Sequence, residues 1–286
     1  MSNSANVQSL FNSMSGDFSP GAMAAFQIPD IGAAIQSALG IPADQVVASE
    51  VVLVTGLYDD SGSITAAGND QPVRAGHNIV RKALIDSKQQ DNILMHIRYL
   101  NGTLLCPYTP VVQAPELDAN NYQAYGGTPL YDQTVVALAA VAAKTQEFIS
   151  NGVPVRTVTL IVTDGADLHS RNATEATVKA IVDDMVSMEN HIIQGMGIYD
   201  GSTDFWKVFT GWSENEIEKA KSDGTFSTLK ARGGMGILPR WVLTPGNTES
   251  EIRRAFQLAS QSAVRASQGA ASFSKTALGG FGATNP

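Results

Sequence analysis

Two spacings of apolar residues alternate along most of the chain. Val51–Tyr58 is an almost unbroken apolar run, the pattern of a strand buried on both faces. Residues 156–163 and 191–198 read the same way. Between these runs the spacing turns helical: residues 75–87 place Ile79, Val80, Ala83 and Leu84 on one stripe. Residues 130–151 form a long Ala/Val-rich helical pattern, and residues 173–189 carry Val178, Ile181, Val182, Met185 and Val186 on an inner face. Residues 92–100 and 103–109 read as two strands joined by Asn101-Gly102, a strong hairpin signal. Shorter helices are expected at 204–209 and 214–222. Residues 237–243 read as a last strand, at a sheet edge because Pro239 cannot donate to a ladder. Thr248 and Glu251 have the spacing of a capping box, opening a helix to about residue 267.

Strands alternating with helices, with one early hairpin, imply an α/β fold: a mainly parallel sheet covered by helices on both faces. Residues 1–48 stand apart as an N-terminal extension, with isolated Phe11, Phe18 and Phe26 and a helical stretch from Ile31 ending at Gly40. An extension lying on its own domain is the expectation; a loose segment or one docked on another subunit are the alternatives. The main domain is expected at 49–268, and the Gly-rich residues 269–286 read as a flexible C-terminal tail.

The chain has 286 residues, 43% hydrophobic and 16% charged, enough apolar material for one large core. A net charge of −8 lacks the basic footprint that nucleic acid or an anionic membrane requires. Cys106 is the single cysteine, so an internal disulfide is excluded, and its leucine neighbours suggest a buried thiol. No stretch is apolar and long enough to cross a bilayer, and the first residues lack the basic and apolar regions of a signal peptide. A cytoplasmic location is expected.

The informative chemistry lies at three turns. Asp59-Asp60-Ser61-Gly62-Ser63 follows the first strand, Gly126-Gly127-Thr128-Pro129-Leu130 opens the long helix, and Thr163-Asp164-Gly165 closes a later strand. In an open parallel sheet, ligands bind beyond the carboxyl ends of the strands, where connections diverge. Hydroxyl and carboxylate oxygens gathered there suit a hard divalent cation. Asp-x-Ser-x-Ser alone is a common combination that also serves turns and caps; the strand-end context is what raises it to a metal motif.

This trio resembles the metal-ion-dependent adhesion site of a von Willebrand factor type A (vWA) domain, over residues 51 to about 268. The glycine-flanked motifs look most like the bacterial cytoplasmic members. The resemblance implies a Rossmann-like sheet of six strands in the order 3-2-1-4-5-6. It also implies a Mg2+ held directly by Ser61, Ser63 and Thr128 and through waters by Asp59 and Asp164, with Mn2+ or Ca2+ as substitutes. Asp60, in the variable position, adds charge without removing a ligand. Three neutral hydroxyls would leave the ion electrophilic, with one position open for a Glu or Asp of a protein partner. Family members are often coupled to AAA+ ATPases or to stress and conflict systems, and some switch affinity by moving the last helix.

Other readings are a self-assembling structural protein, a homo-oligomer built through residues 1–48 and the tail, and a metal-dependent phosphoester hydrolase. Against the hydrolase, the chain has neither a P-loop nor a Gly-x-Ser-x-Gly elbow, so no enzyme is expected. His77, His96 and His191 fall within elements and read as packing residues. His169 reads as a stray surface histidine, Asp167 as a support of the metal turn or a cap of the helix near Ala173, and Tyr122 and Tyr125 as rim aromatics.

Overall fold

The computed structural model describes residues 7–28 and 31–268. Six strands form one sheet: β1 (Val51–Tyr58), β2 (Ile93–Tyr99), β3 (Leu104–Pro110), β4 (Val155–Thr163), β5 (His191–Gly197) and β6 (Val242–Leu243). Their order is β3-β2-β1-β4-β5-β6, all neighbours parallel except the β2–β3 hairpin. This is the sheet of a vWA-like, Rossmann-like fold. β1, β2, β4 and β5 are buried at every residue, which is why apolar side chains occupy both faces of these strands. Asn101-Gly102 makes the hairpin turn, with Gly102 at φ +91°, a region that glycine enters without a Cβ clash.

Helix α4 (Gly62–Ala66) follows β1 and leads into α5 (Asp70–Ile85); α6 (Leu130–Ser150) precedes β4, and α7 (Glu175–Ser187) precedes β5. Two short helices, α8 (Phe205–Thr210) and α9 (Glu214–Ser222), follow β5, and α10 (Glu249–Gln268) comes last. α5 and α10 pack together on one face of the sheet, and α6 with α7 on the other. α5 begins at Asp70, earlier than its apolar stripe suggests. Pro72 lies in the first turn, where the missing N–H removes no helical hydrogen bond. The last strand is also shorter than expected. Pro239–Trp241 form a 3-10 turn, and only Val242 and Leu243 pair with Gly195 and Met196 at the sheet edge.

Three helices precede the sheet: α1 (Val7–Ser13), α2 (Pro20–Ala25) and α3 (Ile31–Ala38). α1 and α3 pack on α6 and α2 on α7, so their apolar residues join the main core. Phe11 stacks on Phe26 with ring centres 5.2 Å apart, and Phe18 meets Phe26 edge-on. The link to β1 is clamped from beneath. Lys144, fully buried on α6, donates to the Ile41 carbonyl and to Glu147 at 2.8 Å, and Glu147 accepts from the Ala43 amide at 2.9 Å. The expected flexible tail, 269–286, lies outside the described residues.

Candidate metal centre

Asp59 is the first residue beyond β1, its amide still bonded to the Val162 carbonyl of β4 at 2.9 Å. The parallel β1–β4 pairing therefore delivers Asp59 and Asp164 to the same end of the sheet, across the point where connections diverge. Asp59 is fully buried. One carboxylate oxygen accepts the Ser61 amide at 2.8 Å and the other the Thr163 hydroxyl at 2.7 Å. Its carbonyl accepts the hydroxyl of buried Tyr122.

The hydroxyls of the first motif meet the third. Ser63 Oγ donates to Asp164 Oδ1 at 2.7 Å and lies 2.8 Å from Ser61 Oγ. A serine has one proton to give. Ser63 spends it on Asp164, so Ser61 donates to Ser63, and both oxygens keep lone pairs. Residues 101 positions apart thus share one hydrogen-bonded chain.

The second motif is bound to the first through its backbone. Gly126 N donates to the Asp60 carbonyl at 2.8 Å and Gly62 N to the Gly126 carbonyl at 3.1 Å, a short parallel bridge. Thr65 Oγ1 adds a bond to Ala124 O at 2.9 Å. Thr128, two residues on, is buried at the mouth of α6. Its amide donates to His169 Nδ1 at 2.8 Å, and its carbonyl accepts the amides of Leu168 and His169 at 3.1 and 3.3 Å.

His169 therefore holds the Thr128 loop and is not a stray residue. Accepting from an amide leaves its Nδ1 without a proton. A Cβ at Gly127 would sit 2.9 Å from that nitrogen, so the imidazole occupies the room glycine leaves. Asp167 caps α6, accepting from Tyr131 N at 3.1 Å and Ser170 Oγ at 2.6 Å, rather than capping the next helix. Thr174 caps α7 instead. Asp132, unremarked in the sequence, accepts three successive amides, Arg171, Asn172 and Ala173. Asp132 N in turn donates to Ser170 Oγ at 2.9 Å. Of the two tyrosines expected at the rim, Tyr122 is wholly buried, while Tyr125 stands 77% exposed.

The electrostatics call for positive charge. Burial pushes Asp60 and Asp164 up to about 6, with the neighbouring Asp59 charge adding to both and Asp200 adding at Asp164. Burial also raises Asp59, against the hydrogen bonds from Ser61 and Thr163. Asp60 Oδ1 accepts the Asn101 amide at 2.9 Å, but its other oxygen is buried without a hydrogen-bond partner. Among the described residues no lysine or arginine forms an ion pair with these three carboxylates. Nor do three His, Cys, Asp or Glu side chains gather as a metal group. The side chains gathered here offer hydroxyl and carboxylate oxygens with neither thiolate nor thioether among them, which fits a hard divalent cation rather than a soft one. A cavity of about 600 Å³ beside His191 and Trp241 lies at the opposite end of β5 and takes no part.

No family model matches the chain, and no curated protein is similar to it in sequence. Solved structures with a similar course of chain include proximal thread matrix protein 1 from the mussel byssus, in a form with a zinc-occupied MIDAS motif. It is 14% identical over 75% of this chain and 46% of its own, with a TM-score of 0.45. The pilus adhesin SpaC from Lactobacillus rhamnosus GG is 12% identical over 76% of this chain and 30% of its own, TM-score 0.49. The manganese-loaded TRAP protein of Plasmodium vivax is 17% identical over 74% and 75%, TM-score 0.42. The chain spans less than half the length of the first two. The fold is read from the strand order, and the site from its own side chains.

Proposed function

We propose that the chain is a protein-binding module whose site holds a divalent cation, Mg2+ by preference, and recognises an acidic residue of a partner through it. The observation that carries this reading is the chain Ser61–Ser63–Asp164, which joins two sequence-distant turns through oxygens alone, with acidic side chains around it that no lysine or arginine among the described residues pairs with. Ser61, Ser63 and Thr128 would hold the ion directly, with Asp59 and Asp164 orienting its waters. When bound, the ion would supply a Lewis-acidic position suited to a partner's carboxylate. Asp59 takes part from behind, since both its oxygens already hold the Ser61 amide and Thr163 hydroxyl in place.

A cytoplasmic setting and a partner tied to an AAA+ ATPase fit the bacterial members of the vWA group that the motifs resemble. A hydrolase would require a base beside a nucleophile. Three histidines are engaged away from the site, His77 with Tyr58, His96 with the Cys106 carbonyl and His191 with Thr157, and His169, at the site, spends its Nδ1 on the Thr128 amide. Self-assembly through residues 1–48 would need apolar surface that α1, α2 and α3 instead bury on α6 and α7.

Titration with Mn2+ and Mg2+ followed by calorimetry tests the proposal. The wild type should bind one equivalent, and Ser63→Ala should lose at least about tenfold in affinity while keeping its circular dichroism. Equal binding by both proteins, or no binding by either, refutes it.

A further inference from the structure

Six large apolar side chains stand well exposed among the described residues: Val47, Val112, Tyr125, Ile149, Leu168 and Tyr199. Three of them surround the candidate metal centre, each on a different loop. Tyr125, 77% exposed, immediately precedes Gly126, which bridges to Asp60 and Ser61. Leu168, 75% exposed, donates its amide to the Thr128 carbonyl. Tyr199, 55% exposed, follows Ile198, whose amide binds the Thr163 carbonyl next to Asp164. Leu168 and Tyr199 are fixed through their own amides, to the Thr128 and Pro245 carbonyls, and Tyr125 adjoins the bonded Gly126. Single exposed apolar residues are ordinary, but a ring of them around one polar site marks an interaction surface.

What covers this ring follows from the proposed function, on which the inference rests. Any segment that places a carboxylate at the ion must lay its adjacent residues across the loops of Tyr125, Leu168 and Tyr199. Apolar neighbours would be buried there. Acidic neighbours would meet Asp60, Asp164 and Asp200, with only one cation to offset them, in a chain of net charge −8. We propose that the module recognises a single Asp or Glu set among apolar or aromatic residues in an exposed loop or tail of its partner, with Tyr125, Leu168 and Tyr199 as the anchors for those residues. A run of acidic residues, which a bare cation would accept, is rejected.

The test is selection of a phage-displayed random-peptide library on the immobilised full chain, in Mg2+ and in EDTA. Selected peptides are then resynthesised with a fluorophore and titrated by polarisation. Three proteins are compared: wild type, Ser63→Ala, and the triple variant Tyr125→Ser, Leu168→Ser, Tyr199→Ser, whose exposed positions leave the core untouched. The wild type should select, only in Mg2+, peptides with one acidic residue flanked by apolar ones. The triple variant should bind them roughly 30-fold more weakly, as loss of an interface anchor does, yet keep its metal dependence. Metal-dependent acidic peptides without apolar flanks, or equal binding by the triple variant, overturn this inference and leave the proposed function standing. Absence of any metal-dependent selection for an acidic residue overturns both.

Discussion

Gly76 sits on α5 where α10 crosses it, and replacing it with alanine should loosen that pair of helices. An added Cβ would lie 2.0 Å from Phe256 Cδ2 and 2.4 Å from Cγ and Cε2. Carbon atoms settle at about 3.5–4.0 Å, so the ring would have to retreat by well over an ångström. Phe256 is fully buried and has no room to do so. Overpacking of this kind costs about 1–3 kcal/mol, and this contact belongs at the upper end. Alanine returns about 1 kcal/mol through its better helix propensity. The net expectation is a loss of about 2 kcal/mol, or roughly 4–8 °C in Tm for a chain of this size. Urea unfolding at constant m-value is the assay. Adding Phe256→Leu, which frees volume at the clash, should recover at least about 1 kcal/mol relative to additivity. A Gly76→Ala protein as stable as the wild type, or strictly additive double-variant energies, would refute the packing argument. Any sliding of α10 along α5 would require Phe256 to ride over Gly76.

Three further outcomes are expected. Burial holds His77 near about 4 and both His96 and His191 near about 3, against 6.5 when unfolded. The unfolded chain therefore binds more protons as pH falls below 6.5, and stability declines towards pH 4, by about 2 kcal/mol per histidine at pH 5. Asp60 and Asp164, raised to about 6, oppose this in part. The clean measurement is the difference between wild type and His191→Asn, whose unfolding free energies should converge by about 2 kcal/mol from pH 7 to pH 5; parallel curves would contradict the assignment. His169→Ala should weaken Mn2+ binding by about tenfold, as loss of a supporting partner does, with Tm nearly unchanged; unaltered calorimetric affinity would show that the imidazole does not position Thr128. Deleting residues 1–48 should produce a chain that aggregates or loses cooperative unfolding, since it uncovers α6 and α7 and strips Lys144 of the Ile41 carbonyl; a soluble, cooperatively folding product would show those helices to be dispensable.

Much of this was legible from residue order alone, for identifiable reasons. Strands buried on both faces leave continuous apolar runs, so β1, β4 and β5 announced themselves. The Asp59, Ser61, Ser63, Thr128 and Asp164 positions stood at element ends, where side-chain chemistry is not needed for packing. What escaped depended on contacts across the chain. Tyr122 looked like a rim residue because nothing local says that its hydroxyl reaches the Asp59 carbonyl from 63 residues away. His169 and Asp132 support loops 41 and 39 or more residues distant, and no spacing rule records that. Phe11, Phe18 and Phe26 are too sparse to show a helical stripe, and their cluster exists only once α1 and α2 fold back upon α6 and α7. Residues 237–243 carried strand-like composition, but Pro239 diverted the backbone into a 3-10 turn before pairing began.

The cross-bracing among the loops of Ser61, Thr128 and Asp164 has a consequence for which ion the protein would accept. Through Gly126 with Asp60, Asp132 with 171–173 and His169 with Thr128, no one of these loops can swing outward alone. Calcium relaxes its surroundings to gather six to eight oxygens at about 2.3–2.6 Å, whereas magnesium demands six at about 2.0–2.1 Å. A frame that resists dilation favours the smaller radius, so discrimination between the two would come from stiffness more than from the identity of the donor atoms.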